Sequence, residues 1–343
     1  MTVASLSLDF DNKWAYLRAA GREDWEQSSS YLPVVAQRMV DLLGELELPL
    51  TVFVVGRDLE RDGDIRAAEA FQRLPRAEYC NHSTNHLPWM HTLSDAEIHD
   101  EIKTTHDRIE DQLGQRPRGF RGPGFSCPPE VLRVLQSLDY TYDASIFPTS
   151  IAPIARAVFL ARTQLKGAEK ERAKKLYGGF ASLRQPNRPF QRAVDDQSLW
   201  EVPVTVMPWT RLPIHFSYLT FLASFSVLAA KAYFRAALRL CRITRTPPSL
   251  LLHPPDFMGR EDDSDMAYFP GMKVSRNEKL EFVRWALTHY SKSFTVVTMI
   301  DQLSSADSSI PAGRRRIPSV TGNQPDAVDD GTLSEPISET TAT

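Results

Sequence analysis

The sequence predicts a parallel α/β fold of the barrel type, and three observations lead to it. Strand-like and helix-like segments alternate over most of the 343 residues. Pro49-Leu50-Thr51-Val52-Phe53-Val54-Val55-Gly56 is a continuous β-rich run, the mark of a strand buried on both faces. Polar clusters recur where the strand-like runs end, and in a parallel barrel those ends share one face, where sites assemble.

Ser5-Leu6-Ser7-Leu8-Asp9-Phe10 reads as the first strand, followed by a helical pattern through Val34, Val35, Met39, Leu42, Leu43 and Leu46. After the 49–56 strand, Ala77 to Asn81 is a short strand. Ser94-Asp95-Ala96-Glu97 has the spacing of a capping box and opens a helix to about Leu113. Gly119-Phe120-Arg121 is again strand-like, Pro128-Pro129-Glu130 starts a helix, and Tyr140-Thr141-Tyr142 resumes strand character. Trp200–Val206, Ser249–Leu252 and Phe294–Met299 bring the strands to the seven or eight that close a barrel. Residues 151–194 break the rhythm: helical in pattern, with ten Lys/Arg against Glu169 and Glu171, they read as a basic insertion. From about Ser304 the chain is rich in Ser, Thr, Pro, Asp and Gly without apolar periodicity. This places the folded unit at 1–302 and a disordered tail at 303–343.

Composition excludes some classes. Hydrophobic residues make up 42% and charged residues 24%, the profile of an ordinary globular protein, and a net charge of −3 gives no global pull toward nucleic acid. The basic residues accompany no nucleic-acid recognition motif. Cys80, Cys127 and Cys241 form no CxxC pair and are expected as reduced thiols in a cytoplasmic protein. Met1–Leu6 has neither a basic n-region nor an apolar h-region, so no signal peptide is expected. The apolar stretch Phe216–Ala230 falls short of the roughly 20 residues a spanning helix requires.

Four clusters carry chemistry. Asp9-Phe10-Asp11 ends the first strand, and period-2 alternation puts both carboxylates on one side, where two like charges call for a cation or a shared proton. In Asn81-His82-Ser83-Thr84-Asn85-His86 the histidines stand at i and i+4, the spacing of one face of a helical turn and close enough to share a metal. His91, His99 and His106 lie in or just before a capped amphipathic helix and read as surface residues. Gly119-Phe120-Arg121-Gly122-Pro123-Gly124-Phe125 offers a glycine-rich turn and a planar cation. In Leu251-Leu252-His253-Pro254-Pro255-Asp256 an imidazole follows an apolar strand and is held by a rigid Pro-Pro turn.

In this order, Asp-x-Asp, HSxxH, RGPG and LLH resemble the polysaccharide deacetylase family (carbohydrate esterase family 4, NodB homology domain), over about residues 3 to 300. Asp143-Ala144-Ser145 after Tyr142 resembles that family's fourth motif. The family's usual first motif carries adjacent aspartates, whereas here Asn12 follows Asp11 and the second acid is Asp9. That form resembles the branch with cytosolic deacetylases, cyclic-imide hydrolases and the lipid-linked formamido-arabinose deformylase. It leaves open which aspartate is ligand and which is base.

The resemblance implies a distorted (β/α)7-8 barrel of NodB type that removes an N-acyl group, acetyl first among them, from an amino sugar. In the assignment it implies, Asp11, His82 and His86 hold one divalent metal, a donor set that suits Zn2+. Asp9 then serves as base, Arg121 orients it, and His253 protonates the leaving amine. A backbone N–H near Gly124 or Phe125 shares the developing oxyanion, and Asp143 or Asp256 lies by the substrate and orients His253. Two alternatives stand beside this: a cyclic amide or imide hydrolase on the same scaffold, and a non-catalytic carbohydrate- or lipid-binding module.

Two features bear on the substrate. Lys231, Arg235, Arg239 and Arg242 recur at i+4, i+4 and i+3, a basic stripe that suits either a solvated barrel helix or an anionic membrane surface. Arg162, Lys166, Tyr177, Arg184 and Arg188 of the insertion offer cations and an aromatic ring to phosphates. Together they suggest a polyprenyl-diphosphate-linked amino sugar, met peripherally at the inner face of the membrane.

Overall fold

β1 (Val3–Phe10) lies at the heart of the sheet. Its even positions Ala4, Leu6, Leu8 and Phe10 are apolar and join the main core cluster, while Ser7 and Asp9 turn inward toward Arg121. This alternation is what a strand between a helical layer and a barrel interior requires. The computed structural model describes residues 2–152 and 182–307.

β1 pairs in parallel with β2 (Leu50–Val54), β8 (Ser249–Leu252) and β9 (Thr295–Val297). β3 (Ala77–Asn81), β4 (Gly119–Phe120), β5 (Tyr142–Asp143), β6 (Phe190–Val194) and β7 (Gln197–Glu201) extend the sheet, in the order β6-β7-β5-β4-β3-β2-β1-β8. After β7 the chain crosses toward β8, where Thr205 N–H donates to Ser249 O at 3.0 Å. The curled sheet is thus drawn toward closure by single hydrogen bonds rather than by a full ladder, which is the distortion of the barrel.

Helices α1 (Lys13–Ala19), α2 (Leu32–Glu45), α3 (Asp62–Glu69), α4 (Asp95–Leu113) and α5 (Pro129–Ser137) occupy the first half. α6 (Phe216–Ala223), α7 (Val227–Ile243), α8 (Arg276–Ser293) and α9 (Met299–Asp307) occupy the second. The expected capping box of α4 is present, with Ser94 and Glu97 satisfying each other's backbone N–H groups.

Three expectations are corrected. The 151–194 segment is not helical throughout: residues 190–194 form β6, antiparallel to β7, while 153–181 lie outside the described residues. The fold does not stop at 302. α9 runs to Asp307 and Gln302 accepts from Ser5 Oγ at 2.8 Å, and residues from 308 on lie outside the described part. His106 is buried rather than on the surface, its Nδ1 3.2 Å from Tyr140 OH. All three cysteines are free. Among the described residues no helix is long and apolar enough to cross a membrane.

Candidate active site

The ends of β1, β3, β4 and β8 deliver the four motifs to one place. Asp9 is the penultimate residue of β1 and Asp11 follows the strand, both buried. Asn12 caps α1 by accepting from Lys13 N–H at 2.8 Å, so the chain turns immediately after Asp11 and fixes that carboxylate at the strand end. Tyr31 OH donates to the Asp11 carbonyl at 2.8 Å.

His82 and His86 meet without the expected helical turn. His82 follows β3, and Ser83 and His86 have φ of 61° and 48°. These left-handed residues fold the loop back so that the imidazole centroids lie 5.0 Å apart. Glu101 on α4 holds the fold-back, accepting from Asn85 N–H at 2.8 Å and Asn85 Nδ2 at 2.6 Å.

Asp11 Oδ1 stands 3.3 Å from both His82 Nε2 and His86 Nε2. The oxygen is buried and has no hydrogen bond of acceptable geometry. Burial works to raise the Asp11 pKa, but His86 and His82 outweigh it and hold the carboxyl well below the usual range. Burial likewise opposes charge on His82, while Asp9 and Asp11 raise its pKa overall. His82 Nδ1 lies 2.6 Å from the Arg121 carbonyl oxygen, which accepts a hydrogen bond from Nδ1–H and leaves Nε2 as a lone-pair donor. One carboxylate oxygen and two imidazole nitrogens, all within 4.8 Å of one another, fit a divalent cation.

Beside these donors, Asp9 is clamped. Arg121 NH1 donates to its Oδ1 at 2.5 Å, and its Oδ2 lies 3.9 Å from His82 Nε2 and 3.8 Å from His253 Nε2. Arg121 is fully buried, over the Phe53 ring at 4.1 Å, with Nε donating to Ala144 O at 3.0 Å. At Gly122 an added Cβ would sit 1.8 Å from Ser126 O, so only glycine permits the turn of this loop.

The remaining expected residues separate. Gly124 and Phe125 take φ of 58° and 63°, and the Phe125 N–H is already engaged, donating to Gly122 O at 2.9 Å. The Phe125 ring instead packs on Phe147 at 5.1 Å, and Phe147 on His215 at 5.3 Å, an aromatic wall beside His253. Asp143 is fully buried, its Oδ1 taken by Ser145 Oγ at 2.5 Å and Oδ2 by Arg192 NH1 at 3.0 Å. It does not reach His253; it supports the RGPG loop, since Gly122 N–H donates to Ser145 Oγ at 2.8 Å. Arg192 also pairs with buried Glu201 at 2.8 Å, which explains how two buried acids lie so close.

Asp256 lies by His253, but buried at its base. Its Oδ2 accepts from His253 N–H at 2.8 Å and from Ser217 Oγ at 3.4 Å, and burial raises its pKa despite the nearby His253. Ser217 Oγ is 3.1 Å from His253 Nδ1, so the imidazole is oriented by a serine that stands between it and the aspartate. Ser217 and His215 escaped the reading of the sequence. His215 is buried with Nδ1 unpartnered, and burial together with His253 keeps it neutral. Their one signal was a pair of polar residues, two apart, in an otherwise apolar run.

The polysaccharide deacetylase family model matches residues 5–142. No curated protein matches the chain in sequence. Among solved structures, a protein from Mycobacterium smegmatis assigned as a polysaccharide deacetylase is similar in fold, with a TM-score of 0.56 and 17% identity over 92% of this chain and 94% of that one. Puue allantoinase is also similar, with a TM-score of 0.54 and 12% identity over 90% of this chain and 91% of that one. A family 4 carbohydrate esterase from Streptomyces lividans aligns over 93% of this chain and 98% of its own, at 13% identity and a TM-score of 0.42.

Proposed function

We propose that the chain, whose residues 5–142 match the polysaccharide deacetylase family model and whose fold is similar to that of a protein assigned as a polysaccharide deacetylase, is a metal-dependent hydrolase that removes an N-acyl group from an amino sugar. One observation carries the reading: a metal-competent Asp11–His82–His86 set stands within reach of a clamped carboxylate and an oriented imidazole.

Asp11, His82 and His86 would hold a divalent ion such as Zn2+, and the chemistry it would supply there is polarisation of the amide carbonyl and a lowered pKa for water. Asp9 Oδ2 receives the proton of the attacking water, while Oδ1 remains tied to Arg121, which keeps the carboxylate oriented. His253 Nε2, on the other side of Asp9 Oδ2, gives a proton to the leaving nitrogen. Ser217 accepts at Nδ1 and keeps the ring turned. Water addition and C–N cleavage then balance as a carboxylate and a free amine. Phe125, Phe147 and neutral His215 form an apolar flank suited to a small acyl group.

The finer reading is an N-acetylated sugar carried on a polyprenyl diphosphate and met at the inner face of the membrane. The basic stripe of α7 supports it, while most of the basic insertion lies outside the described residues. A cyclic amide is the second reading, favoured by the separated aspartates Asp9 and Asp11, because the same base and acid would serve a ring C–N bond.

The test is metal analysis of the purified protein beside His82→Ala, each assayed for acetate release from N-acetylated sugars. Stoichiometric metal and acetate release, both lost in the variant, is the expected result. Metal without acetate release moves the substrate to cyclic amides, and a wild type that stays metal-free after repletion overturns the enzyme.

A further inference from the structure

Residues 202–255 contain no Asp or Glu and six Lys/Arg, in a chain whose net charge is −3. The helical hairpin α6–α7 lies within this stretch. At its tip Phe225 and Leu228 are 76% and 77% exposed, and Val227 is exposed beside them. Large apolar side chains in that state, adjacent in space, ask for a covering partner.

The open face of α7 continues the pattern. At 100° per residue, Leu228, Ala232, Arg235, Arg239, Arg242 and Ile243 fall on one side, and all are exposed. Ile243 is 60% exposed. Arg235 stacks on Trp285 of α8 at 5.1 Å and Lys231 on the same ring at 5.0 Å, so these cations share an aromatic platform. Arg235, Arg239, Arg242 and His289 line an open cleft of about 510 Å³. Burial lowers the His289 pKa, and Arg235 and Lys292 lower it further, as an electropositive surface does.

We propose that the α6–α7 hairpin is a docking surface for an anionic phospholipid bilayer, its apolar tip seated among the acyl chains and its arginines on the headgroup phosphates. Apolar side chains beside a cationic helix face that carries no acid of its own are the pattern of interfacial helices, and the charge complements an anionic leaflet. The hairpin also reaches the site. α6 is capped by His215 and carries Ser217, which touches His253, in its first turn, and it ends near the tip after roughly 12 Å of helix. A docked hairpin therefore holds the mouth of the site within a short span of the membrane surface. The purpose assigned here rests on the reading of the substrate as lipid-carried; the docking itself does not.

Sedimentation of the full chain with phosphatidylcholine vesicles, with and without phosphatidylglycerol, tests the proposal. Binding is expected only with the anionic lipid and is weakened by salt. Phe225→Ser/Leu228→Ser abolishes it, and Arg239→Ala/Arg242→Ala weakens it about fivefold per arginine. Thermal melting and acetate release from a soluble N-acetylated sugar stay at wild-type level in both variants. Absence of binding to anionic vesicles, or equal binding by the variants, overturns the proposal. So does a self-associated form dissolved by the tip variant, which would give the surface to a second copy. Vesicle binding without turnover on any sugar would instead count against the enzymatic reading alone.

Discussion

The carbonyl oxygen of Arg121 lies 2.6 Å from Nδ1 of His82, while the guanidinium of the same residue holds Asp9. One residue thereby serves two neighbours: its backbone sets the tautomer of an imidazole in the metal-competent set, and its side chain sets the orientation of the carboxylate beside it. This ties the RGPG loop to the HSxxH loop and to the end of β1.

Arg121→Lys keeps the charge and the backbone carbonyl but loses the planar fork. Metal content is expected to remain, because His82 keeps its acceptor, while kcat falls by at least roughly tenfold as Asp9 loses its clamp. Metal analysis and steady-state kinetics on one preparation check this; loss of metal would mean that the side chain, not the carbonyl, sustains His82.

His253→Ala removes the proposed proton donor without touching Asp11, His82 or His86. Turnover is expected to drop by about 10²–10⁴ with metal retained. Near wild-type turnover would take the acid role away from His253.

Ser217→Ala should act through His253 alone. Loss of one hydrogen bond at Nδ1 is worth about 1 kcal/mol, so kcat falls several-fold while KM holds. Ser217→Thr, which keeps the hydroxyl, restores the rate. A change confined to KM would assign Ser217 to the substrate rather than to the imidazole.

Asp58 governs a stability change with pH. Its Oδ1 accepts from Asn12 Nδ2 at 2.9 Å and Trp14 Nε1 at 2.8 Å, Oδ2 is buried without a partner, and burial pushes the pKa up to about 7. A carboxyl raised in the folded state favours folding while protonated. Its contribution is therefore full below the unfolded pKa near 3.8 and is lost as pH rises through about 7. Asp58→Asn keeps the acceptor at Oδ1 and removes the charge, so its stability relative to wild type should rise from pH 4 to pH 8 by up to roughly 4 kcal/mol. Denaturant midpoints of both proteins across that range measure the difference; a constant difference would show that Asp58 does not titrate there.

Much of the site is local in origin and was open to reading from the chain. The strand ends at Phe10, Asn81, Phe120 and Leu252 follow from short-range apolar patterning, and so does the delivery of Asp9, Asp11, His82, Arg121 and His253 to one face. The capping box at Ser94 is equally local. The HxxxH spacing suits two histidines that approach each other but not the shape that brings them together, because spacing does not reveal that Ser83 and His86 turn left-handed under the hold of Glu101.

The partners of buried charges were decided only in three dimensions. Asp143 pairs with Arg192, 49 residues away on a strand hidden in what reads as an insertion. His253 is oriented through Ser217, 36 residues earlier on a helix whose apolar sequence announces no chemistry. Periodicity is set by each residue and its near neighbours, so the sequence by itself determined the elements and which motifs stand at their ends. A hydrogen bond or an ion pair depends on angstrom-scale distances between segments remote in the chain, and only tertiary packing decides those.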